Sequence, residues 1–140
     1  MNKNQTQHGI LKAQAAIEFA LVLPILLVLV LGVLDLGRLF YTKMVLTNAA
    51  REGANFLAYS PEDSNYSYVD TFAAIYDEAN SSNIEVLSTE VVYTDCCTRG
   101  LPVEVTITKT IDLVFDDALQ TLGITNGPIQ VTSSVKMRVQ

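Results

Sequence analysis

Two adjacent cysteines, Cys96 and Cys97, are the residues of this 140-residue chain best suited to redox or metal chemistry. Redox motifs place two residues between their cysteines and have a supporting histidine nearby, and neither feature occurs here. A disulfide between neighbours is strained, so three states stay open: a bond to another subunit, a vicinal bond that stiffens the loop, and two free thiols. The pair therefore predicts no catalytic centre.

The other groupings that could do chemistry fail on position or spacing. The only histidine, His8, lies in the basic leader, on the other side of the proposed membrane segment from the exported domain, which argues against a hydrolytic triad. Residues 63–67 begin like a calcium loop, but the required glycine and the closing glutamate are missing. The acidic pairs at 77–78 and 116–117 are sequence neighbours, which do not face each other on a helix. We expect no enzymatic activity, no metal site and no cofactor.

An apolar run near the start dominates the chain. From Phe19 to Leu34 it reads FALVLPILLVLVLGVL without a charge, and the small residues before it extend it to the length of a bilayer crossing. Residues 35–40, DLGRLF, offer no small-x-small site for ordinary signal cleavage. We predict a basic leader at residues 1–13, a transmembrane segment at 14–37 and an exported part at 38–140.

Two residues interrupt the apolar character of this run. Glu18 stands at its edge, where a carboxylate in hydrocarbon costs about 2 to 3 kcal/mol unless it stays in the headgroup region or finds a cation. Pro24 lies inside the helix and cannot donate to the carbonyl four residues earlier. A kink there is expected, although membrane helices often tolerate proline.

The charges divide the chain between two environments. Before Glu18 the only charged residues are Lys3 and Lys12, whereas acids outnumber bases beyond residue 38 and the net charge is −6. Basic residues beside a membrane segment favour the cytoplasmic side, so we expect a cytoplasmic amino terminus and an acidic domain outside. Phosphate backbones would repel such a domain, which argues against nucleic-acid binding.

The exported part combines a stem with a small domain. Apolar residues recur at helical spacing up to Tyr59, which predicts one helix from Gln14 to Tyr59 of about 69 Å, of which a bilayer uses about 30 Å. The small residues at 49, 50, 53 and 54 predict close packing against the stem. A second helix is predicted at 67–79 and three antiparallel strands at 84–94, 103–115 and 129–139. The predicted fold class is α+β.

The ordered motifs between Gln14 and Tyr59 resemble those of the TadE-like pseudopilins of the tight-adherence pilus system. They comprise Glu18 and Phe19 at the start of the apolar run, Pro24 within it, DLGR at 35–38 and LTNAAREGA at 46–54. The segments VEVTITKTIDLVF and PIQVTSSVKMRV are similar to that family's last strands. The resemblance implies a pilin-like fold, in which the sheet and the short helix pack on the stem of a long transmembrane helix.

The resemblance also implies processing and partners. In that family a prepilin peptidase cuts on the cytoplasmic side, which here corresponds to the bond between Ala13 and Gln14, with alanine in place of the usual glycine. Cleavage would create an ammonium group at Gln14 that could pair with Glu18 of a neighbouring subunit. The implied partners are other pilin and pseudopilin subunits, the peptidase, the assembly platform and the membrane.

Two functions follow from these expectations. The first is a minor pilin that takes part in pilus assembly and surface attachment, with Glu18, Phe19 and Pro24 in the assembly contacts. The second is a binding module held permanently by an uncleaved span, with the loops around Tyr66 and Cys96 as its contact surface. Processing and filament incorporation distinguish between them.

Overall fold

The computed structural model describes residues 3–59, 68–94, 99–113, 120, 123 and 128–140, and within the first helix it describes side chains from Gln14 onward. Helix α1 (Lys3–Tyr59) is followed by helix α2 (Tyr68–Ser81), a 3-10 turn at Ser88–Glu90, and strands β1 (Val91–Thr94), β2 (Pro102–Ile111) and β3 (Ile129–Arg138). This α+β arrangement of a long apolar helix, a short helix and three antiparallel strands confirms the predicted fold class.

The sheet has the order β1-β2-β3, and both pairings are antiparallel. Strands β2 and β3 pair without interruption, from Pro102 opposite Arg138 to Ile111 opposite Ile129. Because side chains alternate across a strand, every second residue of β2 faces the core. Val103, Val105 and Ile107 are therefore fully buried.

The second half of α1 supplies the other side of the core. It packs against α2 on one side and against β2 and β3 on the other. The small residues predicted to allow close packing do so: Ala49, Ala50 and Ala54 are completely buried. A Cβ added at Gly53 would come within 2.6 Å of Ile75 on α2, so only glycine permits this approach.

Helix α2 ends in a backbone cap centred on Asn83, which has a φ of 58°. The N–H of Ile84 donates to the carbonyl of Ala79 at 3.1 Å, and the N–H of Asn83 donates to that of Asn80 at 2.9 Å. These two bonds form the Schellman motif, in which a left-handed residue reverses the chain after a helix. The chain thereby leaves α2 toward the sheet.

The prediction of a strand over residues 84–94 is wrong for its first part, since only Val91–Thr94 form β1. The N–H of Ile84 is already used by the cap of α2. Further along, the Glu90 carboxylate accepts the N–H of Leu87 at 2.8 Å and closes the 3-10 turn. Val86 still enters the core, with 1% of its surface exposed. Alternating burial thus occurs here without strand pairing.

The two ends of the domain can be distinguished along α1. At the far end of the stem, the N–H of Gln140 donates to the carbonyl of Ala58 at 3.0 Å. At the near end, where the apolar run finishes, β3 begins beside Leu36 and Phe40. The carboxyl terminus therefore lies at the end of the domain opposite the apolar segment.

Candidate membrane and assembly segment

In the part of the chain that the structure describes, nothing covers the apolar side chains of the first half of α1. The most apolar 18-residue window of Gln14–Tyr59 has a mean hydropathy of 2.9 and no buried residue. Its exposed residues include Phe19 at 66%, Ile25 at 69% and Leu29 at 64%. A helix that is apolar all round and long enough to cross a bilayer fits a single membrane pass.

Glu18 and Gln14 lie one helical turn apart at the start of the described side chains. The Gln14 Nε2 donates to the Glu18 Oε1 at 3.1 Å. This bond gives the carboxylate one polar partner inside its own helix, but an amide brings no compensating charge. Glu18 is exposed, so a group from another molecule has access to it.

The α-helix continues through Pro24 without interruption. Phe19 and Pro24 are exposed like their neighbours, and no described residue of the folded domain covers this part of the helix. The residues predicted to act in assembly therefore share one exposed segment. Their role in assembly stays a prediction.

Buried polar and charged groups appear where α1 meets the domain. Asp35 has only 5% of its surface exposed. The Arg38 guanidinium lies 4.0 Å from its carboxylate, one turn further along the helix. A buried carboxylate requires such partners, and this pair lies where the exposed apolar part of the helix meets the folded domain.

Three polar side chains of α1 fix the domain to the stem directly above that point. The Tyr41 hydroxyl donates to the carbonyl of Ser82 at 3.0 Å. On the other side, Lys43 Nζ donates to the carbonyl of Thr132, and the hydroxyls of Thr47 and Ser133 are 2.8 Å apart. The domain is thus held on both sides of the helix.

These contacts were not predicted as a group from the sequence. Lys43 and Thr47 are four residues apart, so their positions on one helix face could be read from the sequence. Their partners on β3 could not be read from the sequence, because the position of β3 beside α1 depends on tertiary packing. No local signal distinguishes Lys43 from any other positive charge beyond the span.

The residues considered for chemistry are not assembled into a site in the described part of the chain. Within the described ranges, no three His, Cys, Asp or Glu residues are grouped to hold a metal ion. Asp77 and Glu78 lie on the exposed side of α2. Cys96 and Cys97 and the stretch 63–67 lie outside the described residues, as does the side chain of His8.

In the described residues, one long apolar helix carries a small α+β domain at one end, an arrangement that is pilin-like and fits a single membrane pass. Its amino-terminal segment is TadE-like: the model of the family described as TadE-like protein matches residues 13–55. The match confirms the resemblance found in the motifs and associates the chain with the tight-adherence pilus system and its components. No curated protein and no solved structure matches the chain.

The match covers the apolar segment, Asp35 and most of the second half of α1. The similarity proposed for the last two strands lies beyond it and stays a prediction.

Proposed function

We propose that this chain is a minor pilin, or pseudopilin, that takes part in assembling a tight-adherence type IV pilus and has no catalytic role. The division of α1 into two halves carries the proposal. One half is exposed on every side in the described residues, and the other forms the core of the domain. Such a helix can exchange lipid for neighbouring helices while its domain stays folded.

Lateral packing of the span would supply the assembly energy. In a bilayer, helices associate through close van der Waals contact and polar pairs, because lipid is as apolar as leucine. Phe19 opens the exposed apolar face, and Pro24 would allow the helix to adapt to its neighbours. Phe19 and Pro24 would form part of the surface that contacts neighbouring helices.

Glu18 would act as the charged contact. Cleavage between Ala13 and Gln14 would convert the backbone nitrogen of Gln14 into an ammonium group. That ammonium and the carboxylate of a neighbour's Glu18 could then neutralise each other inside the bundle. The existing hydrogen bond from Gln14 to Glu18 shows that the two residues lie on the same face of the helix, one turn apart.

The contacts of Tyr41, Lys43 and Thr47 support a mechanical role for the stem. They attach the domain to α1 from two sides, directly above the apolar segment. Movement of the span would then carry the domain with it as one body. We propose that the amino terminus is cytoplasmic and that the domain lies outside the membrane.

The first experiment determines the mature amino terminus by intact mass and terminal sequencing, in cells with and without the prepilin peptidase. A start at Gln14 that depends on the peptidase would support the proposal. A chain that keeps Lys12 in both strains would contradict it and would favour a permanently tethered binding module.

The second experiment replaces Glu18 with alanine and measures the subunit in sheared filaments. We expect incorporation to be lost, because the new ammonium would have no carboxylate partner. Glu52→Ala, on the exposed side of the same helix, is the matched control and should be incorporated normally. Protease resistance of the domain checks folding, and equal incorporation of both variants would refute the assembly role of Glu18.

A further inference from the structure

The domain has two flanks of opposite charge, one on either side of α1. We call the edge of β3 together with the adjoining face of α1 the β3 flank. The outer face of α2 is the α2 flank. Helix α1 packs on α2 on one side and on β3 on the other, which separates the flanks.

The β3 flank presents a long strand edge with positive charge. β3 pairs with β2 over its whole length, and no other described strand pairs with its second edge. Arg138 at the end of the strand is exposed. Arg51 on α1 is also exposed and stands one turn beyond Thr47, which bonds to Ser133 of β3. Neither arginine has an ion-pair partner among the described residues.

The α2 flank is acidic and narrow. Asp70 and Asp77 are exposed and lie two helical turns apart on one face, with the small residue Ala73 between them. In the part of the chain that the structure describes, neither aspartate takes part in a salt bridge. The flank therefore offers uncompensated negative charge beside the exposed apolar side chain of Val69.

An apolar groove of about 400 Å³ lies at the foot of the β3 flank. Leu36 and Phe40 of α1 line one wall, and Ile129 and Val131 of β3 line the other. Phe40 is 69% exposed. The groove begins where the apolar segment of α1 ends, so the exposed apolar surface of the helix continues into the flank.

We infer that the β3 flank binds the α2 flank of a second copy of this chain. The inference rests on the proposed function, because the shared direction of the membrane spans holds every copy upright in the same sense. Upright copies can meet through like or unlike flanks, and the opposite charges favour unlike flanks, which makes the contact head to tail.

Helix α2 runs back along α1, since Thr71 lies near Gly53 and Ser82 lies beside Tyr41, so Asp70 is the aspartate nearer the carboxyl-terminal end at which Arg138 lies. Arg138 therefore faces the neighbour's Asp70 and Arg51 faces its Asp77, while the groove extends the contact between the spans.

A head-to-tail contact leaves one flank free at each end of a row of subunits. It therefore adds subunits without closing into a dimer, as a filament or a row in the membrane requires. Opposite charges on the two flanks also disfavour two copies meeting through the same flank, because like charges would then face each other.

The test uses two differently tagged full-length copies in the same membrane and measures their co-purification in mild detergent at low salt. Asp77→Lys places a positive charge opposite the neighbour's Arg51, and Arg51→Glu places a negative charge opposite the neighbour's Asp77. Each variant should co-purify with itself about tenfold less than the wild type does, because like charges then meet at the contact. All copies keep the same span, so the differences report on the flanks.

Mixing the two variants is the decisive step. Asp77→Lys copies should co-purify with Arg51→Glu copies at the wild-type level, since the unaltered flanks still match and the altered flanks again join opposite charges. One chain that carries both substitutions should also associate with itself. Asp112→Lys, an exposed reversal outside both flanks, is the control and should behave like the wild type.

Two outcomes overturn the inference. Undiminished self-association of both single variants shows that the flanks are not in contact. Reduced association that the mixture fails to restore shows that the pairing of the two flanks is wrong. In either case filament incorporation of the wild type is measured separately, so the proposal of a pilin can stand while this interface fails.

Discussion

Gly53 is the position at which a single added carbon would have the largest foreseeable effect on packing. A Cβ there would lie 2.6 Å from both Cδ1 and Cγ1 of Ile75, which is itself fully buried. Because the isoleucine has no free space to move into, α1 and α2 would have to separate. The distance between the helices is therefore determined by this one glycine.

We expect Gly53→Ala to lower the free energy of unfolding by about 1 to 2 kcal/mol. Overpacking costs about 1 to 3 kcal/mol, and the better helix propensity of alanine returns up to about 1 kcal/mol. Denaturant unfolding of the full chain in detergent measures the change.

Gly37→Ala is the matched control, because nothing lies within 4 Å of a Cβ at that position. It should be neutral or slightly stabilising. The double variant Gly53→Ala with Ile75→Ala should cost less than the sum of the two single variants, since the second change removes the clashing atoms. Strict additivity would show that the clash is not the cause.

At the scale of elements, the sequence predicted most of the architecture because its signals were local. Hydropathy predicted a long apolar helix, which the structure has, and helical spacing predicted α2 with its end only two residues short of the observed one. The small residues on the stem predicted a close approach, but the sequence could not name Ile75 as the partner. That choice depends on how α2 lies across α1.

Residues 84–90 show where local signals mislead. Their alternation of apolar and polar residues matches a strand, yet the N–H of Ile84 is bound by the cap of α2. A helix cap and a strand compete for the same backbone groups. Ile84 follows α2 directly, so the cap binds its N–H and a strand cannot begin there. The candidate assembly residues were predicted as a series, but the contacts that fix the domain to the stem were not. Those contacts join residues that are distant in sequence.

The pairing of β2 with β3 carries a pH-sensitive contact on its outer face. The Ser134 hydroxyl donates to the Glu104 carboxylate, and Lys136 Nζ lies 3.3 Å from it. The hydrogen bond from Ser134, followed by the bond and charge of Lys136, lowers the pKa of Glu104 below its ordinary value of 4.5. The ionised form is thus favoured in the folded state.

A lowered pKa in the folded state means that this contact stabilises the protein above the ordinary pKa and is lost as the pH falls through the folded value. Glu104→Gln should therefore be less stable than the wild type at neutral pH, and the difference should shrink to nothing in acid. Unfolding measured from pH 7 down to below the pKa of Glu104 checks this. A difference that stays constant across the range would contradict it. Ser134→Ala should move the pKa of Glu104 upward, whereas Gln130→Ala on the same strand face should not.

The molecule as a whole divides into an exposed apolar segment and a folded domain with a core. Among the described side chains from residue 14 to residue 34, none is buried, and the first apolar residues of the core are Val45 and Leu46. The basic start and acidic remainder of the sequence already indicated this division. What the fold adds is the position of the boundary, at the buried Asp35 and its neighbour Arg38.

This division predicts that the domain folds without its membrane segment. A chain that begins at Asp35 keeps every residue of the core and the contacts of Tyr41, Lys43 and Thr47. It should be soluble and monomeric when dilute, and it should unfold in one cooperative transition. A chain that begins at Asn48 lacks Val45 and Leu46. Losing a single buried leucine side chain costs about 2 to 5 kcal/mol, which is a large part of the roughly 5 to 15 kcal/mol that stabilises a domain.

Circular dichroism and thermal unfolding show whether each of the two truncated chains folds. Folding of the chain from Asp35 together with failure of the chain from Asn48 would show that the stem, and not the span, is part of the domain. Failure of both would contradict the division, because the exposed half of α1 would then contribute to folding despite having no described contact with the domain.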